Sequence, residues 1–415
     1  MTNISASESL HIIILGGGPA GSACGLSLLK LAAQTNKAVK VTLLESKQFA
    51  GEQHYNQCVG VLSPPLPDLM ERELLVPFPR DLSRALITGY TLHGEREELP
   101  LEDDDEPSIA LRRVQYDGYM LSTAIERGVQ VLPARATNLE FHDDGVIVYT
   151  DSAPVEGDVL VGAFGMDEGS ASFFSRQTKY EPPKALSSVV TKYHPGTEAM
   201  GEFGNHIHAF LPKHPRIEFG GITPKGNHLT INIAGRNVDA PLMSEFLEQS
   251  VVRAVLPNFE MARKNDQDDL HYYKGRFPYS LARHYYGDRY VMIGDAAGLV
   301  RSFKGKGVTT ALLTGIRAAE TILSVGFSRA AFHDHYRRVN EDLIGDMSYG
   351  QVMRLSVIAL SRSGLLDAVL RAARKEPRLR HALFGAVSGH DSYRSVWGYS
   401  LAPASLLALL RSIPG

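Results

Sequence analysis

Apolar residues along this chain fall into three patterns, and each implies a different local structure. Residues 11–15, HIIIL, form a short run of β-branched and aliphatic side chains closed by glycines, the pattern of a strand with little exposed surface. Residues 39–44, VKVTLL, and 289–293, RYVMI, are read as strands in the same way. Residues 84–94, RALITGYTLHG, and 228–235, HLTINIAG, alternate with period two and predict half-exposed strands of another sheet. Residues 112–134 predict a helix leading into a strand. Beyond about residue 326 the chain turns helical and richer in basic residues. There LLDAVLRAARK, 365–375, has an apolar face at helical spacing, and SLLALLRSI, 405–413, has an apolar stripe beside an arginine. Such stripes either pack against their own domain, the commoner arrangement, or line an apolar tunnel or rest on a bilayer.

The turn after the first strand carries chemistry. Gly16, Gly18 and Gly21 fall at GxGxxG spacing, with Ala20 inside the motif and Gly25 one turn further on. Gly16 permits the tight turn, Gly18 lets backbone approach a pyrophosphate, and Gly21 lets the helix pack on the strand with its amide end toward the anion. The next strand ends in Glu45, where a carboxylate would meet adenosine ribose hydroxyls. These features predict a dinucleotide site and leave NAD or FAD open. RYVMIGDAAG, 289–298, supplies a second buried strand running into Gly294 and Asp295, which a domain holding only NAD does not need. A nucleotide domain with motifs at both ends implies an inserted domain between them.

This pair of motifs resembles the FAD-binding fold of the para-hydroxybenzoate hydroxylase superfamily, and the intervening details resemble its geranylgeranyl reductase branch, up to about Gly315. The resemblance implies an α/β fold: a Rossmann-like FAD-binding domain of the GR2/PHBH type, an inserted antiparallel-sheet substrate domain and a C-terminal helical region. The expected division is 1–80, 108–185 and 276–325 for the FAD-binding domain, 81–107 and 186–275 for the substrate domain, and 326–415 for the helices. Arg113, Tyr116 and Asp117 match the family's RxxFD segment, which implies an arginine near the cofactor's phosphates. Asp295 would accept hydrogen bonds from the ribityl chain. Gly305, Gly307 and Val308 open a helix whose free amides would face the flavin pyrimidine ring, with Lys304 or Lys306 adding positive charge there. Relatives usually begin that segment with proline, and this chain has Ser302. NQCVGVLSP, 56–64, matches CxGxxSP, so Cys58 and Gly60 would run beside the isoalloxazine, and Cys58 either handles a proton or packs as a small apolar group. His54 and Tyr55 are secondary candidates, with packing favoured for both.

Two departures narrow the resemblance. In DVLVGAFG, 158–165, Phe164 stands where the superfamily has an aspartate associated with FAD and NAD(P)H contact. In FGGITPK, 219–225, the YxWxFPK isoprenoid-contact motif keeps Phe219, Pro224 and Lys225 but has Gly221 for tryptophan and Thr223 for phenylalanine, which should widen or reshape the pocket. Phe219, Gly221 and Pro224 are the expected substrate contacts.

Composition adds exclusions. The 415 residues are 44% hydrophobic, enough for a sizeable core, and a net charge of −3 gives no reason to expect nucleic acid. Cys24 and Cys58 make no disulfide framework, and His206 and His208, on one face of a strand, lack further ligands at metal-site spacing, so no metal is expected. The first residues show no positively charged leader and no apolar run spans a bilayer, which together predict a cytoplasmic protein with at most peripheral membrane contact. The expected activity is hydride transfer from reduced FAD to a carbon–carbon double bond of an apolar, isoprenoid-type substrate. Electrons would come from NAD(P)H or a ferredoxin-like protein, with Cys58 and Lys306 as candidate catalytic groups. A flavin monooxygenase acting on an aromatic or other apolar molecule, and an electron-transfer flavoprotein without tight small-substrate binding, are the alternatives. A halogenase is disfavoured, because no WxWxIP segment is present and no matching lysine is placed near the reacting face.

Overall fold

The computed structural model describes residues 9–47, 49, 58–102, 107–259, 270–301, 307–389 and 391–413. Its first layer is a six-stranded sheet centred on Leu10–Leu15, which pairs in parallel with Val39–Leu44 on one side and Val159–Gly162 on the other. Gln130–Leu132 and Tyr290–Met292 extend it in parallel, and Tyr286–Gly287 ends it as an antiparallel edge. Ile12, Ile13 and Ile14 are fully buried, because helix Pro19–Thr35 covers one face of the sheet, against Ile14, and a three-stranded sheet of Ala136–Phe141, Val146–Thr150 and Val155–Gly157 covers the other, against Ile13. Helix Pro19–Thr35 buries Ala20 to Ser27 on its inner side, and Gly307–Ser324 packs against it. The strand at 289–293 therefore returns to the sheet that the first strand began, as the paired motifs imply.

The inserted part is a seven-stranded sheet in the order Tyr273–Pro278, Ala185–Tyr193, His228–Gly235, Ile217–Lys225, His206–Phe210, Gly89–His93 and Glu98–Glu102. It is mixed rather than wholly antiparallel, since His206–Phe210 runs parallel to Gly89–His93. Residues 84–94 also divide differently from the expectation of one alternating segment. Ser83–Ile87 joins a small sheet with Val61–Leu62 and Ser108–Leu111, whereas Gly89–His93 is buried at all five positions. That strand lies inside the large sheet with both faces covered, so period-two exposure disappears.

One face of the large sheet packs Val189, Ile222, Ile231 and Ile233 against Phe246 of helix Ala240–Glu248. On the opposite face, Leu92, Leu99 and Leu101 receive Leu366, Leu370 and Ala373 of helix Leu366–Lys375, so this apolar stripe packs against its own chain. Helix Pro403–Ser412 leaves Leu406, Leu407 and Leu410 exposed. Among the described residues no helix is long and apolar enough to cross a membrane.

A buried ion pair ties helix Glu341–Arg362 to the large sheet. Arg354 donates Nε to Glu218 Oε2 and Nη2 to Oε1, both at 2.5 Å, and its guanidinium lies 4.6 Å from the Tyr279 ring centroid. Both side chains are buried, so removing one partner strands a charge in low dielectric. Arg354→Met should lower the unfolding free energy by about 3–5 kcal/mol, and the E218L/R354M double substitution should recover most of it. Urea denaturation checks this; an equal loss in the single and double variants would mean the charge pair is not the tie.

Candidate functional site

The glycine turn has the shape its spacing implies. Gly16 has φ +106°, and a Cβ at Gly21 would lie 1.9 Å from the Gly16 carbonyl oxygen, so helix and turn touch backbone to backbone. A Cβ at Gly18 would meet nothing within 4 Å. The start of helix Pro19–Thr35 is thus bounded by glycine backbone and opens onto free space at Gly18, a cradle suited to phosphates. Glu45 stands across this turn, its carboxylate accepting hydrogen bonds from the amides of Gly17 and Lys47, each at 2.8 Å. Acid and turn thus fit the adenosine diphosphate half of a dinucleotide.

Gly294, with φ +58°, comes so close to the same helix that its Cβ would lie 3.1 Å from that of Ala20. Asp295 follows it, its carboxyl pushed up by burial and drawn back by Arg113. A Cβ at Gly307 would lie 3.3 Å from Asp295 Oδ1, so the later helix starts beside this carboxylate; Val308 is buried in its first turn. The structure thus gathers Gly16, Gly18, Ala20, Gly21, Glu45, Gly294, Asp295, Gly307 and Val308 along one groove. Gly305, Lys304, Lys306, Ser302, His54 and Tyr55 lie outside the described residues.

Cys58 borders this groove. Arg113, the first residue of helix Arg113–Glu126, grips Asp117 at 2.9 and 3.1 Å, with its Nη1 4.0 Å from Cys58 Sγ. The Gly60 amide donates to Cys58 Sγ at 3.2 Å. Gly60 has φ +75°, and a Cβ there would lie 2.1 Å from the Leu111 carbonyl oxygen and 2.8 Å from Lys225 Nζ. Lys225 itself donates to the Val59 carbonyl oxygen at 2.8 Å and is only 4% exposed. Burial pushes its ammonium down to about 8; Cys58 opposes that shift, and Lys192, Arg113 and Arg112 reinforce it. A lysine therefore stands beside the Cys58 segment. Alternation in the sequence places 219, 221, 223 and 225 on one face of a strand but carries no signal for the meeting with Val59, which is non-local.

The same alternation separates the expected substrate contacts. Phe219 and Gly221 share the face of Lys225, and Phe219 meets Phe277 with ring centroids 6.3 Å apart. Pro224 is a correction: it pairs with Leu229, a core residue, and faces away from this side. A Cβ at Gly221 would lie 2.9 Å from Asn232 Oδ1, so Asn232 occupies part of the space that the missing tryptophan leaves. Phe164 belongs to an aromatic cluster, 5.4 Å from Phe174 and 6.2 Å from Tyr180 by centroid. His206 bonds Thr91 and His208 bonds His93, at 3.2 and 2.8 Å, and no group among the described residues could hold a metal ion.

No family model matches the chain. It is similar to the digeranylgeranylglycerophospholipid reductase of Methanocaldococcus jannaschii, 23% identical over 324 residues that cover 74% of this chain and 75% of the relative. It is also similar to the 1H-pyrrole-2-carbonyl-[peptidyl-carrier protein] brominase of Pseudoalteromonas luteoviolacea, 24% identical over 339 residues, 77% and 78% of the two chains. Among solved structures, the geranylgeranyl bacteriochlorophyll reductase-like protein of Thermoplasma acidophilum superposes with a TM-score of 0.71 at 16% identity, covering 98% of this chain and 100% of that one. The p-nitrophenol 4-monooxygenase of Pseudomonas putida gives 0.66 at 16% identity, with 91% and 97% covered. These likenesses establish the fold: a Rossmann-like FAD-binding α/β domain with an inserted sheet domain and C-terminal helices.

The buried Lys225 makes stability depend on pH. Its folded value of about 8 lies below the ordinary 10.5, so between these values the unfolded chain holds more protons at this group and stability rises with pH. The rise is on the order of 3 kcal/mol across that window. Lys225→Met should flatten it. Urea midpoints measured at intervals through the window check this, and an unchanged slope in the variant would assign the rise to other groups.

Proposed function

We propose that this chain is an FAD-dependent oxidoreductase that acts on an apolar substrate held between the nucleotide groove and the seven-stranded sheet. The observation that carries the reading is the convergence of the Gly16–Gly21 turn, Gly294–Asp295 and the Val59–Lys225 hydrogen bond beside Cys58, from distant parts of the chain, on one groove. FAD bound there would supply a carrier that can pass a hydride to carbon or reduce oxygen. Glu45 and the turn would hold its adenosine diphosphate half, Asp295 its ribityl hydroxyls, and the amides at Gly307 the negative charge of the reduced ring.

The protein's own groups then manage protons and water. Cys58 and Lys225 can each hold a proton beside the reacting edge, and Phe219 with Phe277 keeps the adjoining sheet surface dry. An oxygen-using reaction of the monooxygenase type is supported by the likeness to the p-nitrophenol monooxygenase and the brominase, by Lys225 at the Cys58 segment, and by the loss of aromatic side chains at Gly221 and Thr223. Reduction of a double bond is supported by the CxGxxSP register of Cys58 and by the likeness to reductases. The aromatic Phe164, in place of a carboxylate, favours a ferredoxin-like electron donor over direct contact with a nicotinamide.

The purified protein should be yellow and release FAD on denaturation; release of FMN, or no flavin after reconstitution, sinks the proposal. Anaerobic reduction should be tried with NADH, NADPH and a ferredoxin, followed by air plus an aromatic acceptor or by a lipid alkene without air. Oxygen-dependent product identifies the monooxygenase reading, and anaerobic reoxidation by alkene identifies the reductase. Cys58→Ser should keep FAD while changing turnover by about tenfold or more, and unchanged turnover would return Cys58 to packing.

A further inference from the structure

The sheet face that carries Lys225 is polarised along its strands. Residues directly opposed on neighbouring strands share a face. Lys225 is opposed by His228, whose ring lies 5.3 Å from that of His194. The next row is Thr223, Thr230 and Lys192, followed by Gly221, Asn232 and Val190, and then by Phe219, Ala234 and Ser188. Successive rows are about 7 Å apart. One end is therefore cationic and the other apolar and aromatic, some 20 Å away by the same spacing.

The cationic end has no balancing acid among the described residues. Lys225 is buried with a carbonyl as its hydrogen-bond acceptor, and the charged groups acting on it are Lys192, Arg112, Arg113 and the Cys58 thiol. Arg113 is already paired with Asp117. The ammonium of Lys192 is pushed down by burial and then by Arg112. The imidazole of His228 is pushed down to about 3 by burial, then by Lys225, His194, Lys192 and Arg112. On this patch the buried His228 Nε2 and Thr230 Oγ1 have no hydrogen-bond partner among the described residues. A buried cation without a counter-charge is costly, and so is an unpaired polar atom; an anion placed among these groups relieves both costs.

We propose that this face binds an amphiphile whose anionic head, a carboxylate or a phosphate, lies among Lys225, Lys192 and Arg112, with its apolar body along Gly221 and Phe219. The inference rests on the oxidoreductase reading only in treating that amphiphile as the substrate, since binding itself involves no electron transfer. The head group takes up the positive field, His228 Nε2 and Thr230 Oγ1 are placed to bond its oxygens, and the phenyl rings of Phe219 and Phe277 cover the chain.

Calorimetric titration of the flavin-loaded protein with dodecyl phosphate, dodecanoate and dodecanol, each below its micelle concentration, tests this. Both anions should bind at least tenfold more tightly than the alcohol, with affinity falling as salt rises. Lys192→Met and Lys225→Met should each remove most of that preference, Lys192→Arg should keep it, and Phe219→Ala should weaken all three ligands alike. Circular dichroism and thermal unfolding of each variant establish that it is folded. Equal affinity for anion and alcohol overturns the inference, as does a preference that survives both methionine variants. So does a Lys225→Met variant whose sole change is a shifted flavin potential, since the lysine then serves the flavin. A yellow, active protein without the preference removes this inference alone, whereas a colourless protein that shows it supports the inference and removes the oxidoreductase reading.

Discussion

The near contact of two helix backbones, Pro19–Thr35 against Gly307–Ser324, is the constraint on which the rest of the architecture depends. A Cβ at Gly315 would lie 2.6 Å from the Ala20 carbonyl oxygen and 3.0 Å from the Cys24 amide nitrogen, so no larger residue fits without separating the helices. Between them the chain makes a long excursion, and this contact brings its two ends into register. It sets the glycine turn beside Gly294 and Asp295, and it buries Cys24 so thoroughly that the thiol is pushed up to about 12, beyond ordinary reactivity. The two cysteines thus have different environments: Cys24 fills space, and Cys58 lies among Arg113, Lys225 and the Gly60 amide.

Electrostatics on the sheet side runs in the opposite direction from packing. A folded chain normally avoids an ammonium at 4% exposure without a carboxylate, yet Lys225 is held there by one carbonyl and by a close fit around Gly60. Cost tolerated at one buried side chain is common at sites where charge changes during a reaction. The same position in an apolar wall would have been filled at lower cost by methionine or leucine.

Much of this was legible in sequence because it is local. The GxGxxG spacing, the acid at the end of the second strand and the Gly-Asp pair after a buried strand each encode a short-range geometry, and the structure places all three as their spacing implies. What escaped was non-local. Gly89–His93 looks half-exposed by alternation, but its burial is decided by helices hundreds of residues later. Pro224 sits inside a motif with Phe219, but the pleat turns it to the core. Lys225 belongs to the same motif, and its meeting with Val59 depends on how two separate strands approach.

The large sheet is fastened at both ends of one face. Helix residues Arg371 and Arg374 hold Glu97 near its outer strand, Arg354 holds Glu218, and Lys225 reaches across to Val59 on the nucleotide side. These ties hold the sheet to its surroundings as supports hold a beam, and swinging it as a unit would mean breaking them. A molecule bound on the face between those supports, as proposed above, would have to enter and leave by side-chain rotation at residues such as Asn232 and Phe219.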